Sequence, residues 1–160
     1  MTTHKNIDYL ANHTQYIEKI ARWRTNEWSR YNPSITYSTS VSCFKEHCNY
    51  DKLPLTYLYF EKSEPVGMFS LRIEELPQYG HFKPWIGGLC VQKKFRSKGI
   101  GSILVNYAEE VVSSFHYKAL YLFIFNLELQ SWYENLGYES LKTDTFNNSP
   151  IIVMRKNIKT

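Results

Sequence analysis

The chain has few cysteines, no long apolar run and no repeated segment, and each absence narrows what it can be. Its 160 residues include three cysteines, Cys43, Cys48 and Cys90. Three is an odd number, Cys43 and Cys48 lack the two-residue gap of a zinc knuckle, and no histidine cluster accompanies them. Free thiols in a reducing compartment are expected, with no disulfide and no metal. The opening residues, MTTHKNIDYLANH, contain no apolar stretch resembling a secretory signal. Nowhere does the sequence approach the roughly 18 apolar residues that a membrane span needs. The expectation is a cytoplasmic protein with no membrane partner. No linker or low-complexity tract interrupts it, so residues 1–160 are expected to form one domain.

What is present fits a packed, ligand-binding domain. Hydrophobic residues make up 43% and charged residues 21%, both ordinary for a globular protein. With 13 Tyr, 9 Phe and 4 Trp, the chain can fill a core and still leave rings to line a pocket. The formal net charge of +4 suits a polyanionic small ligand as well as nucleic acid, and charge alone does not separate them.

Periodicity gives the element order. Ile17, Ile20, Ala21 and Trp28 share one helical face, predicting a helix over Tyr9 to Trp28 that Asn32-Pro33-Ser34 ends. A short helix is predicted over Ser40 to His47. Leu55 to Glu61 and Pro65 to Ile73 are strand-like and flank the polar Lys62-Ser63-Glu64, predicting an antiparallel hairpin. Pro84 to Val91 is a further strand, and its Gly87-Gly88 predicts a bulge or a close approach by a ligand. Ile100, Ile103, Leu104, Tyr107, Ala108 and Val111 define the clearest helix in the chain. A strand over Ala119 to Phe125 follows, then a helix over Leu129 to Leu136 that Gly137 ends in a left-handed turn. Two last strands lie near Tyr138 to Thr143 and Ile151 to Arg155. The fold class is α/β (α+β), a mixed, mostly antiparallel twisted sheet flanked by helices.

The informative segment runs from Val91 through Arg96-Ser97-Lys98-Gly99-Ile100-Gly101 to Ser102, between a strand and the best helix. A helix start leaves about four N–H groups unpaired and carries roughly half a positive charge. Gly99 and Gly101 leave those amides open to phosphate oxygens, and Arg96 and Lys98 add charge, with Lys93 and Lys94 upstream. The physics points to a pyrophosphate site. The alternative is a turn whose glycines only allow tight strand-to-helix packing. A Walker loop is excluded because no Gly-Lys-Ser/Thr is present, and a dinucleotide fingerprint would put its third glycine at Leu104.

Here the sequence resembles the GNAT acetyltransferase family. Its pyrophosphate motif, Arg/Gln-x-x-Gly-x-Gly/Ala, stands as Arg96-Ser97-Lys98-Gly99-Ile100-Gly101. Its second signature stands as Asn126 followed, seven residues on, by Tyr133 within Trp132-Tyr133-Glu134-Asn135-Leu136-Gly137-Tyr138. The resemblance covers Trp85 to Tyr138 and implies acetyl-coenzyme A as co-substrate. It implies that Leu89, Cys90 and Val91 pair with the pantetheine arm and polarise the thioester through a backbone amide. Arg96, Ser97, Lys98, Gly99, Ile100, Gly101 and Ser102 would cradle the pyrophosphate. Asn126 would hydrogen-bond the arm, and Tyr133 would protonate the departing sulfur. Trp132 and Leu136, at i and i+4, are expected to take the apolar face of their helix and turn Tyr133 toward the cleft. A nearby helix N-terminus would favour its phenolate.

Two departures stand out. Leu129 replaces a small residue and is expected to narrow the cleft. Trp85-Ile86-Gly87-Gly88 has no acid where the family often carries its general base. Candidate bases are Glu27, Glu74, Glu75, His81 or a water. His4, His13, His47 and His116 converge on nothing and are expected at the surface. Trp23, Trp28 and Trp85 are core anchors or pocket walls. The expected activity is direct transfer of an acetyl group to a primary amine of a small molecule. A protein or peptide amine acceptor, and an acyl-coenzyme A sensor without turnover, remain as alternatives. Nucleic acid is not expected as a partner, and the state is monomer or homodimer.

Overall fold

Strand β3 (Glu64–Arg72) is buried along nearly its whole length, which a strand reaches only when helices cover both faces of its sheet. The computed structural model describes residues 4–159 and shows that arrangement. Among the described residues, seven strands form one sheet in the order β1-β2-β3-β4-β5-β7-β6. Beside β3, they are β1 (Ile7–Tyr9), β2 (Leu55–Glu61), β4 (Trp85–Val91), β5 (Ala119–Ile124), β6 (Glu139–Phe146) and β7 (Ser149–Asn157). All neighbours are antiparallel except β4 and β5.

Helices α1 (Ile17–Trp28) and α2 (Tyr37–Glu46) cover one face. Ile20, Ala21, Trp23 and Phe44 pack there on Leu58, Met68 and Cys90. Helix α3 (Ile100–Ser114) and the short α4 (Gln130–Asn135) belong to the other. There Leu104, Val105, Ala108, Val111 and Val112 meet Tyr57, Phe69, Leu71 and Ile86. Leu104 is fully buried, and its replacement by Ala would cost about 2–5 kcal/mol. The alternation of β2 sets this division, with Tyr57 and Tyr59 facing α3 while Leu58 faces α1.

The structure differs from the periodicity in three places. The first helix does not begin at Tyr9. Ile7, Asp8 and Tyr9 pair with Tyr59, Leu58 and Tyr57 as an edge strand, and two 3-10 turns precede Ile17. Helix α2 starts earlier than Ser40 because Thr36 and Thr39 cap it reciprocally, each hydroxyl accepting the other's backbone N–H at 3.2 and 2.9 Å. Ile73 lies past the end of β3 and is 41% exposed. The bulge expected at Gly87-Gly88 is present: Met68 faces Cys90 but Ser70 faces Gly87, and Gly88 adopts a φ of +61°.

Candidate functional site

The site begins where the sheet parts. Strands β4 and β5 share one register pair, Trp85 with Tyr121, reinforced by the Tyr121 N–H donating to the Pro84 carbonyl at 3.0 Å. Beyond Trp85, no residue of β4 has a register partner on β5. The bulge at Gly88 turns β4 further aside. The gap widens into a cavity of about 230 Å³. Ile86, Gly87, Gly88 and Leu89 line it on one side, and Phe125, Asn126, Leu129 and Tyr133 on the other. Helix α1 and the turn after it contribute Arg24, Glu27, Trp28, Arg30 and Tyr31, the end of β3 brings Arg72, and the turn after β3 brings Glu75. Tyr31 stacks on Phe125 at 4.4 Å with an interplanar angle of 4°, joining that turn to the residue that follows β5.

Below the cleft the chain leaves β4 and enters α3. After a 3-10 turn over Lys93–Phe95, Ser97 and Gly99 take positive φ values of 63° and 83°. Left-handed residues in such a run turn successive N–H groups into one concavity. Among the described residues, no protein acceptor meets the backbone N–H of any residue from Ser97 to Ser102, and Gly99 caps α3 without a side chain. A Cβ on Gly99 would have nothing within 4 Å. Arg96 is held beside this concavity by its Nε, which donates to the Val91 carbonyl at 2.7 Å. The ammonium groups of Lys94 and Lys98 lie 5.9 and 5.4 Å from the Phe95 ring centre. No acid interrupts residues 91–102. This donor set fits a polyphosphate.

Gly101 has a different role from Gly99. A Cβ there would come within 3.2 Å of the Trp132 ring, so the missing side chain lets α4 dock on the start of α3. The packing alternative for the two glycines therefore describes Gly101, while Gly99 faces open space.

Tyr133 reaches the cleft but not by the expected route. It is the buried residue of α4 at 6% exposure, while Trp132 and Leu136 are only half-buried around it. Its ring meets those of Trp132 and Tyr138 edge-on at 4.8 and 5.8 Å. Burial pushes the phenol above its ordinary range, opposite to the shift expected from a helix N-terminus. Desolvation outweighs any dipole here, because Tyr133 sits within α4 rather than at its start.

The other candidates separate clearly. Leu89 lines the cleft, whereas the Cys90 side chain points into the α1 side of the core, where burial raises its thiol to about 12. Val91 packs against the α3 core and gives its carbonyl to Arg96. Asn126 lines the cleft, and its side-chain oxygen accepts the Glu128 N–H at 3.1 Å. Leu129 also lines the cleft and is 40% exposed. Of the possible bases, Glu27 and Glu75 line it. Glu74 forms a surface pair with Lys83 at 3.5 Å, and His81 is exposed against Phe82. Trp28 is a wall, while Trp23 and Trp85 are core.

Sequence reasoning missed a polar network behind β4. His47 is buried, not at the surface: its Nδ1 lies 2.8 Å from the Thr56 hydroxyl and its Nε2 3.5 Å from the Cys43 sulfur. Thr56 bonds Ser70 at 2.6 Å, and the Ser70 hydroxyl lies beside Gly88. Arg72 donates to the Cys43 sulfur at 3.4 Å, tying the network to the cleft. Burial first, and then the charges of Arg72 and Arg24, lower the His47 imidazole to about 3. The polar residues on the α2-facing side of β2 and β3, Thr56 and Ser70, were the available signal.

Among the described residues, no group of three or more His, Cys, Asp or Glu side chains converges on a metal-sized site, and no helix is long and apolar enough to cross a membrane. Comparison with known proteins agrees with the geometry. No curated protein sequence matches the chain. Its fold is similar to that of the aminoglycoside 6'-N-acetyltransferase from Enterococcus faecium, at 20% identity over 96% of this chain and 97% of that one, with a TM-score of 0.69. An aminoglycoside 6'-acetyltransferase type Ii gives 23% identity over 96% and 97%, with a TM-score of 0.69. An aminoglycoside 6'-N-acetyltransferase complexed with coenzyme A gives 20% over 96% and 97%, with a TM-score of 0.71. The profile of the acetyltransferase (GNAT) family matches residues 17–138, from the first turn of α1 through the Tyr133 helix, and the chain belongs to that family.

Proposed function

We propose that the protein transfers an acetyl group from acetyl-coenzyme A to a primary amine of a small molecule by direct attack. One observation carries this reading: Leu89 on β4 and Tyr133 on α4 line the same cleft, at the place where β4 has no partner on β5. The structure of a fold relative complexed with coenzyme A supports the choice of co-substrate.

The free amides from Ser97 to Ser102, with Arg96 and Lys98, would hold the pyrophosphate. Leu89, Cys90 and Val91 would offer the pantetheine arm the unpaired edge of β4, and Asn126 would hold it from the β5 side. Acetyl-coenzyme A supplies a thioester carbonyl, an electrophile at neutral pH. The neutral amine attacks that carbonyl while a β4 amide stabilises the negative oxygen. The C–N bond forms, the C–S bond breaks, and the sulfur takes the Tyr133 proton. The nitrogen loses its surplus proton, and the phenol is restored through water. An ordinary Tyr titrates near 10 and a thiol near 8.5, so the phenol keeps its proton until charge develops on sulfur. Burial of Tyr133 strengthens that hold and makes the phenol a weaker acid, so transfer to sulfur relies on the same desolvation raising the proton affinity of the departing thiolate. A domain spanning residues 1–160 and a cytoplasmic setting complete the proposal.

The test is thiol release from acetyl-coenzyme A, with product masses, across a panel of small amines and peptides. Turnover on small amines alone supports the reading. Turnover on peptides alone makes the protein a peptide acetyltransferase. Coenzyme A binding with no turnover on any amine makes it a sensor.

A further inference from the structure

The acceptor end of the cleft carries an unusual set of charges for a site that is to take a cation. Three arginines line it, Arg24, Arg30 and Arg72, against two acids, Glu27 and Glu75. A polyamine would meet a net positive wall. One acid and one arginine in this set are incompletely satisfied.

Glu75 is the acid. Its Oε1 accepts from the Arg72 guanidinium, which fixes the carboxylate. Its Oε2 is buried and has no hydrogen-bond partner among the described residues. That oxygen lies over Gly87, where a Cβ would come within 3.2 Å of it. The glycine pair on β4 thus admits the Glu75 carboxylate from the neighbouring loop, to the strand on which no acid stands. A buried carboxylate oxygen left without a donor is unfavourable, and an ammonium group would supply that donor.

Arg24 is the cation. It is half-buried on α1, its one hydrogen bond runs from Nη1 to the Ser40 hydroxyl at 3.0 Å, and no carboxylate lies within 4.0 Å of it among the described residues. Burial, the largest cause, and the nearby Arg72 charge disfavour its cationic form, while Cys43 and the Glu75 carboxylate favour it. The balance is a lowered value that an anion placed there would offset. Its planar fork matches a carboxylate in a bidentate way. Glu27, one turn further along α1, lies within 4.0 Å of neither guanidinium and does not occupy that fork.

We propose that the acceptor is a small amine that also carries a carboxylate, as an amino acid does, with its ammonium received by Glu75 Oε2 and its carboxylate by Arg24. This rests on the acetyl-transfer reading above and narrows it. The cavity of about 230 Å³ would be shared with the end of the pantetheine arm and lies below the ~300–1,000 Å³ typical of drug-sized ligands, which leaves room for a small acceptor. The fold relatives act, by their names, on aminoglycosides, so the proposal separates this chain from them in acceptor chemistry.

The experiment measures kcat/KM, by thiol release from acetyl-coenzyme A, for the common L-amino acids, their decarboxylated amines, spermidine and kanamycin. The best amino acid should exceed its decarboxylated amine by roughly 10- to 100-fold, the span of a charge-assisted hydrogen bond. Arg24→Gln should bring that ratio to near 1, and Arg24→Lys, which keeps the charge and loses the fork, should give an intermediate ratio. Glu75→Gln should lower kcat/KM for both members of the pair while leaving their ratio high. Far-ultraviolet circular dichroism checks each fold. A decarboxylated amine, spermidine or kanamycin as the best acceptor overturns the proposal and leaves acetyl transfer standing. Coenzyme A binding without turnover on any of these amines overturns both. A ratio unchanged in folded Arg24→Gln and Arg24→Lys proteins overturns the assignment of Arg24.

Discussion

Acidification should destabilise this protein in a way that one side chain dominates. His47 lies at the centre of the network behind β4, 3% exposed, between the Cys43 sulfur on α2 and the Thr56 hydroxyl on β2. Ser70 and Arg72 approach from β3, and Arg24 from α1, so the two charges that act on the ring are both positive, and the Glu75 carboxylate is engaged by Arg72. The folded protein therefore refuses a proton on His47 until about pH 3, whereas the unfolded chain accepts one near 6.5. Because the folded value is depressed, the stability is fully present above about pH 6.5 and is lost as pH falls toward 3. Each pH unit in that window removes about 1.4 kcal/mol, so about 2 kcal/mol is lost between pH 7 and pH 5. A marginal domain holds only about 5–15 kcal/mol in total, so the effect is large. The assay is urea unfolding at pH 7 and pH 5, for the native protein and for His47→Gln, which removes the titrating ring. The native protein should lose about 2 kcal/mol more than the variant. Nitrogen-15 spectra of the ring should show His47 neutral at pH 5. A ring already protonated at pH 5, or parallel losses in both proteins, would refute the reasoning.

Three other outcomes follow from the geometry. Gly99→Ala meets no steric obstacle, but its left-handed φ of +83° costs a side chain about 1–2 kcal/mol. Relief of that strain should shift the free amides and weaken coenzyme A binding on the order of tenfold by calorimetric titration; unchanged affinity in a folded protein would remove Gly99 from the phosphate site. Gly101→Ala has no φ penalty but crowds Trp132 at 3.2 Å, so tryptophan emission should change, and an unchanged spectrum would show that the ring does not pack there. Tyr133→Phe should lower turnover on the order of 10²-fold with cofactor affinity nearly intact; full turnover in an assay limited by chemistry would reduce Tyr133 to packing.

The parts of the chain legible in sequence were those whose causes are local. The start of α3, the bulge at Gly87-Gly88 and the left-handed Gly137, at a φ of 98°, all follow from a few adjacent residues. What escaped depends on partners far along the chain. Tyr9 reads as helical until Tyr57 pairs with it across the sheet. His47 reads as a surface residue until Thr56 and Cys43 enclose it. Helix α4 is only six residues long, so docking on Gly101 decides its buried face rather than an i, i+4 rule. Glu74 and Glu75 are indistinguishable in sequence, and only the turn after β3 sends one to solvent and the other into the cleft.

The single register pair between β4 and β5 also bears on how such a protein can diversify. The side chains proposed to meet the acceptor stand on α1 and in the turn after β3, while the amides proposed to face the phosphates lie beyond β4 at the start of α3. No residue belongs to both sets. Substitutions over 24–31 can therefore alter which amine is admitted while the helix start is inherited unchanged. Acceptor range becomes a trait selected separately from cofactor use. Grafting that segment from a relative with a different acceptor should move the preference with it, since the graft leaves every strand pairing in place.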